Sequence, residues 1–222
     1  MGGEHVNKFI KRSPYLLFLL VIPLLGTIYQ LLNNRPFKAI EMTTTFDQAI
    51  PFLPIFIIPY ILWYAYIFCY LIYFCFKDIT VYLKSLLLIV VSELICFVIY
   101  FFFQTHVPRP KPAGDGFLLE LVRWIYANDR PYNCFPSIHV LTTFTIMLAS
   151  LHIKNKHLIT TLCIHITGTL IIISTLFVKQ HVIFDMVGSM FLVTFIYGIT
   201  FDLLSIWGNE KSESLYQKSN QS

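Results

Sequence analysis

Charge is what this chain lacks. Asp, Glu, Lys and Arg together make up 13% of its 222 residues, against about 25% in a soluble domain. A water-facing surface cannot be assembled from so few ionised groups. A soluble globular protein is therefore excluded, and with it a soluble nucleic-acid binder. Paired cysteine spacing is lacking too. None of the five cysteines forms a C-x-x-C pair, which removes the usual zinc spacing and the framework of a secreted disulfide scaffold. Cys69, Cys75, Cys96 and Cys163 fall inside apolar runs, where a thiol behaves as a small hydrophobe, and Cys134 lies in a polar connection with no evident partner. There is no internal repeat and no carboxylate cluster suited to Mg²⁺.

What is present is hydrophobe. Apolar residues make up 56% of the chain, with 21 Phe and 13 Tyr. A bilayer core of about 30 Å needs about 20 apolar residues in a helix. Six stretches suit that length: 14–33, 51–76, 80–104, 136–153, 158–178 and 182–207. Lipid offers backbone N–H and C=O groups no other partner, so these must be helices. The expected fold is all-α, a six-transmembrane-helix bundle with a polar cleft at one membrane face. The expected boundaries are an N-terminal segment 1–13, a membrane domain 14–207 and a polar tail 208–222 that reads as disordered.

Lys8, Lys11 and Arg12 could open a signal peptide, but the apolar run after them is too long and lacks a small-residue cleavage site, so it reads as a retained span. Six spans put both termini on one side. That side carries nine Lys and Arg and the other seven, which favours cytoplasmic termini. The protein is thus expected to be multi-pass in the cell membrane. The connection 105–135 is irregular at first, with three prolines and two glycines, and then FLLELVRWIY over 117–126 predicts an interfacial amphipathic helix.

Three polar clusters flank the spans: Val107-Pro108-Arg109-Pro110, Phe135-Pro136-Ser137-Ile138-His139, and Lys179-Gln180-His181 with Asp185. Counting crossings puts all three at one membrane face, the non-cytoplasmic one. His181 and Asp185 are four apart and share a helical face. A carboxylate on one ring nitrogen fixes the tautomer and leaves the other nitrogen as nucleophile or base. His139 supplies a second imidazole, suited to protonating a leaving oxygen. Arg109 and Lys179 are cations for an anionic substrate, Ser137 adds a hydroxyl donor, and the helix start at Pro136 favours an anion. This set points to phosphoryl transfer on a lipid headgroup. Arg130 and Asn133 are further pocket candidates. Glu93 and His165, inside spans three and five, fall away from this level.

FPSIH followed by KQH-VIF-D resembles the type 2 phosphatidic acid phosphatase superfamily, with motifs K-x6-R-P, P-S-G-H and S-R-x5-H-x3-D. The order and the gap of roughly 40 residues between the second and third agree. The resemblance implies that His181 is the catalytic nucleophile forming a phosphohistidine, Asp185 its orienter and His139 the general acid, with Arg109 and Ser137 holding phosphate. It also implies that no metal or other cofactor takes part, and that the partner is a lipid phosphate such as phosphatidate, phosphatidylglycerol phosphate or undecaprenyl pyrophosphate. The motifs also depart from the pattern. Phe102 stands where the first motif has Lys, Ile138 where the second has Gly, and Thr175 where the third has Arg, with Ser174 matching the residue before it and Lys179 a substitute cation. These departures resemble a branch related to sphingomyelin and inositol-phosphorylceramide synthases, which move a phosphate-bearing headgroup. The readings kept open are a lipid phosphatase, a lipid phosphotransferase and a non-enzymatic anion transporter. No feature indicates an oligomeric state.

Overall fold

Backbone groups inside lipid must bond within their own segment, and most of the described chain is helix. The computed structural model describes residues 10–35 and 38–203. A 3₁₀ stretch, Ser13–Leu20, runs into α1 (Val21–Asn33). The first connection holds β1 (Ile40–Glu41) and α2 (Thr45–Ala49). A short 3₁₀ turn leads into α3 (Ile57–Lys77), which is followed by α4 (Ile79–Phe102). The long connection carries β2 (Thr105–His106) and α5 (Phe117–Asn128). Then come α6 (Ile138–Ser150), α7 (Leu158–Phe177) and α8 (Ile183–Tyr197), the last continuing as a π-helical turn, Gly198–Leu203.

Among the described residues, five segments are long and apolar enough to cross a membrane: Ile10–Asn33, Pro54–Lys77, Ile79–Phe102, Leu158–Phe177 and Ile183–Phe201. The fourth expected span, 136–153, is a shorter helix. The 13 residues of α6 rise about 20 Å, less than a bilayer core. Enclosure explains the difference. α6 packs against α3, α4, α7 and α8 and is buried along most of its length, so its ends are met by protein and not by lipid. Ser137 caps its start through Val140 N–H at 3.3 Å, and the Lys156 ammonium donates to Ser150 O at 2.6 Å. Leu71, Phe74, Leu88, Ile89, Leu141, Ile146, Ile164 and Ile171 form the shared core.

The helix ends are matched by charge. Arg12 donates to the carbonyls of Cys75 and Phe76 at 3.1 and 2.9 Å, placing a cation at the C-terminus of α3. Asp78 caps α4 through the N–H groups of Thr80 and Val81. At the opposite end, β1 and β2 pair in parallel, Ile40 with Thr105, and join the first connection to the long one. The amphipathic helix expected over 117–126 is α5. Val122 and Ile125 are buried against Ile57, Tyr60 and Val178, while Phe117 and Trp124 are exposed. The tail 208–222 lies outside the described residues.

Candidate active site

Asp185 sits in the first turn of α8, where an acid is favoured by the helix dipole. Its Oδ2 accepts the backbone N–H of Val182 at 2.9 Å and meets Nδ1 of His181 at 3.2 Å. The carboxylate is acceptor-only, so Nδ1 carries the proton and Nε2 keeps a free lone pair. The His181 side chain is 9% exposed and that of Asp185 1%. The pair is therefore largely dry, and one ring edge remains accessible. Asp185 Oδ1 has no hydrogen-bond partner among the described residues.

His139 enters from α6. Its ring stacks on Tyr60 at 4.6 Å and lies 4.2 Å from the Trp63 ring. Trp63 is itself held by an N–H bond to Thr142 Oγ1 at 2.8 Å. The His139 and His181 ring centroids are 5.8 Å apart. One hydroxyl couples the two helices that carry these rings: Ser189 Oγ lies 2.6 Å from Asp185 O and 3.0 Å from Ser137 O. Ser137 is fully buried, and its oxygen serves as the N-cap of α6.

The two cations are placed differently. The Arg109 guanidinium lies 4.7 Å over the Tyr126 ring, donates to Asp129 O at 2.5 Å and bonds Gln180 Oε1. Its Nε and the Gln180 Nε2 are buried donors without partners among the described residues. Two such neighbouring donors suit an anion. Lys179 turns the other way. Its ammonium bonds the carbonyls of Asp47 and Ile50 at 2.8 and 2.5 Å. Burial draws that ammonium below its ordinary value, against the pull of the Asp47 charge. The structure thus brings Arg109, Ser137, His139, His181 and Asp185 together and ties Lys179 to the first connection.

Several residues of this site carry no motif. Asp129 takes hydrogen bonds from Tyr29 Oη at 2.8 Å and Asn33 Nδ2 at 3.1 Å. Burial raises its carboxyl, with Arg109 the chief opposing influence. Asn133 is buried at φ 55° and its Oδ1 accepts from Gln104 Nε2 at 3.1 Å. The Arg130 carbonyl accepts from Asn33 Nδ2 at 3.4 Å. Asp47 Oδ1 accepts Ile183 N–H at 2.8 Å, pinning the start of α8 beside His181. Burial pushes the Asp47 carboxyl up, but the Thr44 and Ile183 hydrogen bonds and the Lys179 charge outweigh it and hold it below 3.8. Gln180 could have been found as the neighbour of His181, and Asp129 as the acid ending an amphipathic helix. Asp47 gave no signal, because its partner lies 136 residues away. His165 is elsewhere, 3.4 Å from Ser150 at the far end of α6.

Cys134, His181 and Asp185 each bring a potential ligand atom within 4.8 Å of the others. As a metal centre the set fits poorly. Burial, and next the Asp185 charge, push the Cys134 thiol up, and metal binding needs the thiolate.

Both rings wall a mainly apolar cavity of about 310 Å³ that runs between α1, α3, α4, α5 and α6. His181 also faces a second cavity of about 410 Å³, bounded by Thr43, Asp47, Pro108, Pro110 and Lys179. The site therefore has a greasy side and a side facing the connections. It can hold an anion at Arg109, keep one imidazole nitrogen free and bring a second imidazole to the same spot.

No curated protein and no solved structure matches the chain. The model of the PAP2 superfamily matches residues 81–207, a stretch that includes Arg109, Ser137, both imidazoles and Asp185 and spans more than half of the chain. On that match the chain belongs to the PAP2 superfamily, the type 2 phosphatidic acid phosphatases, whose members are phosphatases acting on phosphoester bonds.

Proposed function

We propose that the chain is an integral membrane lipid phosphate phosphatase working through a phosphohistidine at His181 Nε2, with its active site on the non-cytoplasmic face of the cell membrane. The observation that carries this is the bond from His181 Nδ1 to Asp185 at 3.2 Å, made by a ring that faces His139 across an apolar cavity. The Nε2 lone pair attacks phosphorus. The bond to the lipid oxygen breaks, and His139 gives that oxygen its proton. His139 then takes a proton from water, whose oxygen attacks phosphorus. The P–N bond breaks, its electrons return to His181, and inorganic phosphate leaves. Asp185 holds the tautomer and stabilises the charged ring. Arg109, Gln180 and the N–H groups at the start of α6 hold the phosphoryl oxygens, with Ser137 at that helix start. Lys179 adds positive potential from the side of the first connection.

A second reading keeps the phosphoenzyme and passes the phosphoryl group to a lipid alcohol. The second cavity against His181 favours it, as it gives room for another reactant, and Thr43 Oγ1 has no partner there among the described residues. One experiment tests both. Purified protein is incubated in EDTA with a panel of lipid phosphates, and free phosphate and new phospholipid are both measured. Phosphate release is expected, and His181→Ala should lower it about 10⁴-fold or more while leaving the protein folded and inserted. Near-normal turnover in that variant would refute the nucleophile assignment, and new lipid in place of phosphate would select the transferase.

A further inference from the structure

The reaction described above uses only the top of the cavity that both imidazoles wall. Below His139 and Trp63 the walls are Ile22, Gly26, Ile67, Phe68 and Ile89, and a Cβ placed on Gly26 would meet nothing within 4 Å. Two carboxyl groups line the cavity: Asp129 is bonded to Tyr29 and Asn33, and Glu93 interrupts this apolar surface. Glu93 is 5% exposed, lines the cavity, and has no hydrogen-bond or ion-pair partner among the described residues. Burying such a group without a partner is costly. It lies on α4, seven residues before Tyr100, which bonds Pro136 O beside the catalytic layer. Seven residues are about 10 Å along a helix. Glu93 therefore faces the cavity about two turns beneath the point where phosphorus would be attacked.

We infer that this cavity takes the upper part of the substrate's hydrocarbon chain, and that Glu93 accepts a hydrogen bond from a hydroxyl or amide N–H carried there. A volume of about 310 Å³ is within the range of small-molecule sites, and the cavity is continuous with the two imidazoles. The apolar walls suit methylene groups. A carboxyl oxygen among them favours a chain that carries a donor over one that is hydrocarbon throughout, because an unmet buried polar group counts against the latter. This rests on the phosphatase reading and narrows its substrate class to lipid phosphates with a hydroxyl or amide near the head, in preference to plain alkyl or polyprenyl phosphates.

The test uses three alkyl phosphates of equal length in detergent: one unsubstituted, one hydroxylated near the head and one N-acylated there. Phosphate release gives kcat/KM, and competition against a fluorescent alkyl phosphate gives a dissociation constant independent of turnover. The donor-bearing compounds should exceed the unsubstituted one about tenfold in both measures. Glu93→Leu should bring that ratio near one, and Glu93→Gln, which keeps a carbonyl oxygen, should preserve it. Gly26→Leu, which fills the opposite wall, should weaken all three. A ratio near one in the unaltered protein, or one unchanged in Glu93→Leu, overturns the inference. Failure of the phosphatase reading looks different: no compound releases phosphate, and the binding ratio with its response to Glu93→Leu still decides whether the chain site exists.

Discussion

His181 and Asp185 are one turn apart, and the consequence is chemical. An imidazole bonded at Nδ1 by a carboxylate presents Nε2 as its only free lone pair. An Asn at 185 can turn its amide N–H toward that ring nitrogen and favour the wrong tautomer. Asp185→Asn should therefore lower kcat about 10²- to 10⁴-fold in a phosphate-release assay, with protein yield and monodispersity unchanged. A full rate would leave Asp185 only its bond to Val182 N–H at the start of α8. This pair was legible in the sequence because its spacing is local. Arg109 was legible as a cation, but its grip on Gln180 and its stacking on Tyr126 were not. Those contacts join residues that only the folded connections bring together. Lys179 shows the same limit from the other side. Its place two residues before His181 predicts a phosphate ligand, yet its ammonium binds carbonyls of the first connection.

Two helix starts meet at the site, and their fit depends on the absence of a side chain. A Cβ on Gly188 would lie 2.4 Å from the Phe135 ring, so α8 and the segment leading into α6 touch where only hydrogen fits. Gly188→Ala should separate them, costing about 1–3 kcal/mol by overpacking. The expected result is a lower Tm in detergent and a kcat loss larger than the KM change, since His139 and His181 ride on the two displaced elements. The first connection forms a second clasp, with Asp47 completing the capping box of Thr44 at the start of α2 and holding Ile183 N–H. Its carboxyl is held below 3.8. The stabilisation is therefore present above about pH 4 and is lost as the pH falls through the lower folded value. Hydrogen-exchange protection of residues 44–50 and 182–186 should drop below pH 4 in the unaltered protein. In Asp47→Ala it should already be low at pH 6. Hydrophobic runs foretold the long helices well, whereas α6 came out shorter than its apolar run because packing, not lipid, determines where it ends.

The molecule as a whole is a bundle with the candidate site at one end and Arg12, Lys77 and Lys84 toward the other. The proposed orientation rests on the charge bias and is open to direct measurement. A membrane-impermeant maleimide should label Asp115→Cys from outside intact cells and Lys154→Cys only after permeabilisation. The reverse pattern would put the site in the cytoplasm. The all-α class was readable from composition alone, since lipid leaves the backbone no alternative. The cavity was not, because its walls come from five helices and no single stretch of sequence describes it. The enclosure of α6 has one further consequence. Bilayers differ in thickness, and spanning helices answer by tilting or by locally deforming the lipid. The helix bearing His139 is screened from lipid by its neighbours. The outer helices can lean to suit a thicker or thinner membrane while α6 keeps its length and its enclosure.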